Sequence, residues 1–213
     1  NPSHAKALSN LAGLFRQQGK FGAALVYARR AVCSNPQDPD ALNNLGNAEK
    51  DNGLVEDAIG TYRRAIAVRP DFALGHWNLA LALLSLGHMK QGFEEMAWRW
   101  KWNNFPGIRR NFPQPIWNGE DLSDKTILLH PEQGLGDTIQ FMRYAPLVKD
   151  LAAHLYLELP PSLVPLAHDP SLADNILVQG DKLPNFDLHV PFMDLPGILK
   201  TTSKKIPANV PYL

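Results

Sequence analysis

A chain of 213 residues with 45% hydrophobic and 20% charged side chains has the composition of an ordinary globular protein, which excludes a disordered or collagen-like polymer. Basic and acidic residues balance at 21 each, so there is no overall positive field to gather nucleic acid or an anionic membrane. One cysteine, Cys33, excludes an internal disulfide, and no apolar run reaches the roughly 18 residues that span a bilayer. The start, Asn1-Pro2-Ser3-His4, lacks the basic-then-apolar pattern of a secretion signal. Together with the lone thiol this points to a cytoplasmic setting.

The first half is organised by a period. Gly19, Gly53 and Gly87 are spaced by 34 residues, and so are Pro2, Pro36 and Pro70. Leu11, Leu45 and Leu79 keep that phase, as do Ala24 with Ala58 and Ala31 with Ala65. A large residue in the first helix and small ones in the second let paired helices approach closely. Each glycine stands where a helix must stop and the chain turn, and each proline where the next unit begins. On these residues the segment resembles the tetratricopeptide (TPR) family, an α-helical solenoid whose usual work is to hold an extended stretch of another polypeptide.

The period predicts helices over 4–18, 21–34, 39–52, 55–68, 73–86 and 89–103, grouped as three repeats over 5–38, 39–72 and 73–104 within a solenoid covering 1–104. Each pair buries one face only by stacking on the next. The third repeat departs from pattern, since Arg99 and Asn104 stand where Ala and Pro stood before. Its last helix carries Phe93, Trp98, Trp100 and Trp102, too aromatic for a polar end cap, and is expected to pack on something further along the chain.

In the TPR arrangement the first helix of each pair lines the concave face, where Asn10, Asn44 and Asn78 recur at one 34-residue spacing. A carboxamide both donates and accepts, so such a row can pair with the backbone of an extended peptide without reading its side chains. The row resembles the asparagine ladder in the TPR region of O-linked N-acetylglucosamine transferases. It is equally what a row that merely satisfies neighbouring backbone would look like. Asn43, Asn47, Lys50, Arg16 and Trp77 are expected in the same groove, and Leu74, Leu81 and Leu84 make its third part greasier. The basic and aromatic stretch from Trp98 to Arg110 has the residue types of a nucleic-acid surface, but alternation inside a helix scatters them around it, and interdomain packing is the simpler expectation.

After Asn104 the helical period ends. Residues 105–122, with Phe112-Pro113-Gln114-Pro115-Ile116-Trp117, read as a proline-rich connector. Thr126 to His130 is a short apolar run of the buried-strand kind, followed by Pro131-Glu132-Gln133-Gly134-Leu135-Gly136-Asp137 and an amphipathic helix to about Asp150. Further strands are expected at 154–159, 175–178 and 187–190, with helices near 162–167 and 193–200. That alternation predicts a Rossmann-like α/β domain with a parallel sheet over 123–213.

Ligands of such sheets bind beyond the carboxyl ends of the strands, which makes the turn at Gly134 to Asp137 the candidate chemical site. A phosphate-gripping P-loop would need Gly-Lys-Ser/Thr, and a dinucleotide fingerprint would need a third glycine where Ile139 stands, although Glu158 could mimic the ribose-binding acid. Asp137 is placed to cap the free amides at the helix start.

Gln133-Gly134-Leu135-Gly136-Asp137-Thr138-Ile139-Gln140-Phe141 looks like the acceptor-domain loop of bacterial heptosyltransferase-like glycosyltransferases of GT-B architecture. The whole chain, TPRs followed by such a domain through a Trp-Arg-Trp helix, is similar to bacterial TPR proteins of this kind. The resemblance implies that Asp137 is the base that deprotonates an acceptor hydroxyl, with Gln133, Gly134, Gly136 and His130 binding the acceptor. His189, at another strand end, is a weaker acceptor-binding candidate of the same sort. It implies a nucleotide sugar as donor, held by a second domain that this sequence lacks, so the chain alone is expected to be inactive and to need no cofactor or metal. The competing expectation is a non-catalytic TPR interaction scaffold with an α/β cap. The partners implied are an extended peptide or protein in the groove and a sugar or glycan acceptor.

Overall fold

The computed structural model describes residues 2–208 and falls into two compact units, divided between Phe105 and Pro106. The first consists of α1 (Pro2–Gln17), α2 (Phe21–Ser34), α3 (Pro39–Asp51), α4 (Val55–Val68), α5 (Ala73–Ser85) and α6 (Met89–Met96), closed by a 3-10 turn at Ala97–Lys101. The turn glycines do what their phase predicts. Gly19, Gly53 and Gly87 adopt φ of 71°, 79° and 79°, and in each case the next amide reaches back to the end of the helix, as in Leu54 N to Glu49 O at 2.9 Å. Asp38 starts α3 by accepting from the amides of Asp40 and Ala41 at 3.0 and 3.2 Å.

Small residues set the packing. Ala24, Ala28 and Ala31 are fully buried and let α2 lie close to both α1 and α3, with Leu42, Leu45 and Ala48 completing that core. Between α3 and α4 a ring takes the place of small residues. A Cβ on Gly46 would stand 2.5 Å from Cε1 of Tyr62, so only glycine admits the buried tyrosine ring against the α3 backbone.

The last helix ends earlier than its period predicts, at Met96 rather than near residue 103. Arg99 occupies the position of Ala31 and Ala65, too bulky for that close approach. Its fully buried guanidinium instead donates from Nη1 to the Met96 carbonyl at 3.2 Å, and the backbone tightens into the 3-10 turn. The aromatics find partners inside the first unit. Trp98 stacks on His76 with centroids 3.9 Å apart, and Trp77, Trp100 and Trp102 surround Phe105.

The second unit contains β1 (Thr126–His130), α7 (Leu135–Met142), α8 (Ala145–Lys149), β2 (His154–Leu159), β3 (Asn175–Val178), β4 (Leu188–Pro191) and α9 (Leu195–Ile198). The strands form a parallel sheet in the order β3-β2-β1-β4. β1 is central, and the chain passes from one side of it to the other between β3 and β4. The helix expected to run to Asp150 breaks in two, because Pro146 has no amide to continue it and its ring opposes the carbonyl four residues back. The helices expected near 162–167 and 193–200 shrink to 3-10 turns at Val164–Leu166 and Phe192–Asp194 and the single turn α9. The expected connector does not stand apart. His189 donates to Pro115 O at 3.1 Å and accepts from Trp117 N at 2.8 Å, so residues 115–117 run beside β4.

Candidate functional site

Two places carry the residues singled out from the sequence. On the first unit α1 packs on α3 and α3 on α5, which puts the first helices of the repeats side by side on one face. Of the asparagine row, Asn44 and Asn78 bond across from one of these helices to the next. Asn44 donates from Nδ2 to Ser9 Oγ at 2.7 Å, and Asn78 from Nδ2 to Asn43 Oδ1 at 2.8 Å. Both bonds run to the preceding repeat, and Asn43 and Asn78 are almost wholly covered. The phase that repeats an asparagine also repeats a short acceptor 35 residues earlier, and Asn44 and Asn78 each give one N–H to that acceptor. Only Asn10 of the three is exposed.

Asn47 is likewise not a groove residue. It is buried and accepts the Tyr62 hydroxyl at 2.8 Å, and burial raises the tyrosine's proton affinity, which keeps it a donor. Beside it Glu49 is buried with one carboxylate oxygen unbonded. Desolvation raises its pKa, opposed by a hydrogen bond from Thr61. What the face does present is Lys50, the ion pair of Arg16 with Asp51, and on α5 the side chains of Leu74, Trp77, Leu81 and Leu84. These four recur at i, i+3, i+7 and i+10, which is one helical stripe, and each keeps exposed surface. Asp51, the partner of Arg16, carries no periodic signal and was not legible from the sequence.

The second place is the carboxyl end of β1. His130 is buried, its Nε2 3.0 Å from Nδ1 of His189 on the neighbouring β4, where His189 lies in register with Leu128. The Phe112 ring meets both imidazoles edge-on, at 5.6 and 4.8 Å between centroids. Burial pushes His130 down to about 3, helped by the neighbouring His189 and Arg110, and burial lowers His189 as well. Both rings are therefore neutral at pH 7, and His130 offers no surface to an acceptor.

Past His130 the chain surfaces. Gly134 and Gly136 are exposed, and Gln133 and Asp137 are half-buried. Gly134, not Asp137, is the cap residue of α7, with its carbonyl taking the Thr138 amide and hydroxyl, each at 3.1 Å. Asp137 sits three positions past the cap, in the first turn of the helix, where its charge lies near the positive end of the helix dipole. Glu158, the candidate ribose-binding acid, is fully buried and held by Arg110 in two bonds of 2.7 and 3.1 Å, so it is a structural ion pair. Arg110 and Phe112 had no signal in the sequence beyond a nearby charge run. Among the described residues no cluster of three or more His, Cys, Asp or Glu is arranged to hold a metal ion, and no helix is long and apolar enough to cross a membrane.

Residues 4–34 match a family model described as tetratricopeptide repeat, and residues 46–87 one described as TPR repeat. The first unit is built of TPR repeats. Protein FlbA of Caulobacter vibrioides is 27% identical over 149 residues, which is 68% of this chain and 25% of FlbA. That span is longer than the 105 residues of the TPR unit, so it takes in part of the second unit as well. The peroxisomal targeting signal receptor of Kluyveromyces lactis is 31% identical over 86 residues, 40% of this chain and 15% of the receptor. The chain therefore spans a quarter or less of the length of these relatives. Among solved structures, "First TPR of Spaghetti (RPAP3) bound to HSP90 peptide SRMEEVD" superposes with a TM-score of 0.46 at 17% identity, covering 49% of this chain and 85% of that one. MamA superposes at 0.43 with 22% identity, over 46% of this chain and 57% of its own.

Proposed function

We propose that the chain is a non-catalytic protein-interaction module whose TPR unit holds an extended stretch of another polypeptide against the face built by α1, α3 and α5. The observation that carries this is the stripe Leu74, Trp77, Leu81 and Leu84, apolar side chains that keep exposed surface beside the polar Lys50 and the Arg16–Asp51 pair. A face graded from polar to apolar selects a segment with charged or polar residues at one end and an apolar side chain at the other. Similarity to a receptor named for a peroxisomal targeting signal supports the same reading. The partner is a protein rather than nucleic acid or a membrane, given the balanced charge. Peptides selected from a random library against the chain test this. Leu81→Glu, at a site 36% exposed, should weaken them about tenfold or more while the unit stays folded; unchanged affinity overturns the proposal.

A second reading draws on the turn after β1. Its glycines are exposed at the end of the central strand, beside the point where the strand order reverses, and the Asp137 carboxylate is not used as a cap. In this reading the second unit is the acceptor side of a Rossmann-like GT-B glycosyltransferase. Asp137 deprotonates an acceptor hydroxyl bracketed by Gln133, Gly134 and Gly136, and a nucleotide sugar is held by a domain outside this chain. His130, being buried, drops out of the set. Sugar transfer by the longer gene product that collapses on Asp137→Asn supports it. Absence of transfer, or transfer indifferent to that change, removes it.

A further inference from the structure

Phe105 stands where the chain leaves the repeats. From Trp102 to the start of β1 the backbone enters no helix or strand, and the Phe105 amide donates to Trp102 O at 3.1 Å, closing a tight turn over Asn103 and Asn104. That turn folds the side chain back onto α5. Phe105 is only 7% exposed, its ring centroid 5.5 Å from that of Trp77, 5.6 Å from Trp100 and 6.1 Å from Trp102, at interplanar angles of 66°, 73° and 54°. The Arg99 guanidinium, 4.6 Å from the Trp100 ring centroid, backs that indole. All three tryptophans are half-buried, and Trp77 belongs at the same time to the stripe Leu74, Trp77, Leu81 and Leu84. The chain's own phenylalanine therefore lies against the face on which a polypeptide is proposed to bind.

We propose that Trp77, Trp100 and Trp102 form a subsite for one aromatic side chain of the bound polypeptide, and that Phe105 fills this subsite in the free chain and leaves it when the partner binds. The proposal rests on reading the first-helix face as a peptide groove. Three observations carry it. The subsite is continuous with the apolar stripe, because Trp77 is part of both. Phe105 shows which chemistry fits: its ring meets three indoles at steep angles, the arrangement that aromatic quadrupoles favour, and an aliphatic side chain would fill the space without offering a ring edge. Finally, the ring hangs on an irregular segment, so swinging it out breaks the turn bond to Trp102 and leaves every helix of the unit intact. The consequence is selectivity. A ligand engages only the fraction of chains whose Phe105 is out, which lowers its apparent affinity by that fraction, and the tethered ring competes at a high local concentration. A partner without an aromatic residue gains nothing to offset the displacement.

The test uses a hexapeptide copying residues 103–108, Asn-Asn-Phe-Pro-Gly-Ile, titrated into the full chain while the indole N–H signals of Trp77, Trp100 and Trp102 are followed. In the Phe105→Ala protein the peptide should shift these signals, at roughly tenfold or more lower concentration than in the natural protein, where the subsite is filled. The same hexapeptide with alanine in place of phenylalanine should shift none of them. Phe105→Leu keeps apolar volume and, with unchanged helical circular dichroism, serves as the second variant. Library-selected peptides should carry an aromatic residue and bind Phe105→Leu about fivefold or more tighter than the natural chain. The proposal fails if the hexapeptide acts equally on both proteins, if its alanine version acts as well, or if selected peptides shift α5 but bind Phe105→Leu no tighter; in that last case the groove reading stands. If no peptide shifts α5 in any of the three proteins, both the subsite and the groove reading fall.

Discussion

Gly46 and Gly60 both lie inside helices, so replacing either with alanine gains up to about 1 kcal/mol of helix propensity. The structure separates them. Around Gly60 a Cβ meets nothing within 4 Å, whereas on Gly46 it would lie 2.5, 2.7 and 2.9 Å from three carbons of the Tyr62 ring. That ring cannot swing aside cheaply. It is fully buried, and its hydroxyl is fixed to Asn47 at 2.8 Å. Overpacking costs about 1–3 kcal/mol, and a broken buried hydrogen bond adds about 1–2 kcal/mol. Net of propensity, Gly46→Ala should destabilise the TPR unit by about 1–4 kcal/mol, and Gly60→Ala should stabilise it by about 0.5–1 kcal/mol. At about 4–8 °C per kcal/mol for a unit of this size, the gap of about 1.5–5 kcal/mol should separate the two midpoints by roughly 6–40 °C. Tryptophan fluorescence reads this unit selectively, since Trp77, Trp98, Trp100 and Trp102 lie in it and only Trp117 in the other. A Gly46→Ala protein as stable as the natural one would refute the packing argument.

The second unit should lose stability in mild acid. His130 falls from 6.5 to about 3 in the fold, so its contribution is complete above pH 6.5 and is lost as pH drops toward 3. That amounts to about 2 kcal/mol at pH 5, read from amide exchange in β1 to β4, and His130→Gln should flatten the slope. Arg110→Ala strands the fully buried Glu158 carboxylate and should cost the same unit about 3–5 kcal/mol; a loss below about 1 kcal/mol would mean the pair is solvated. Glu49→Gln removes a carboxylate whose burial opposes its charge and keeps a partner for Thr61, so it should raise the urea midpoint of the TPR unit at pH 7, and a lowered midpoint would contradict the desolvation argument.

What could be read from sequence was what depends on local rules. Glycines at one phase stop helices wherever they stand, and the apolar runs at 126–130, 154–159 and 175–178 became strands with those bounds, because a buried parallel strand needs little beyond apolar residues between breakers. Features that depend on distant side chains were not legible. The early end of α6 follows from Arg99 meeting a space made for alanine. The asparagine row looked like a ligand-reading ladder because its acceptors, Ser9 and Asn43, are ordinary polar residues until stacking brings them into reach. His130 was expected at the end of the first strand, open to an acceptor in the adjoining loop, yet it is sealed by His189, 59 residues later, and by Phe112 from a stretch that looked like connector. Asp137 was displaced from its expected capping role by the residue three earlier, a shift that periodicity alone does not resolve.

The central claim is that a polypeptide segment lies along the first helices of the TPR unit. Amide chemical shifts of the full chain, followed while a library-selected peptide is titrated in, test it most directly. The account predicts that the largest changes fall on α3 and α5 around Lys50, Trp77, Leu81 and Leu84. Changes confined to the β1–α7 turn around Gly134 to Asp137, or to the second helices α2, α4 and α6, would contradict it.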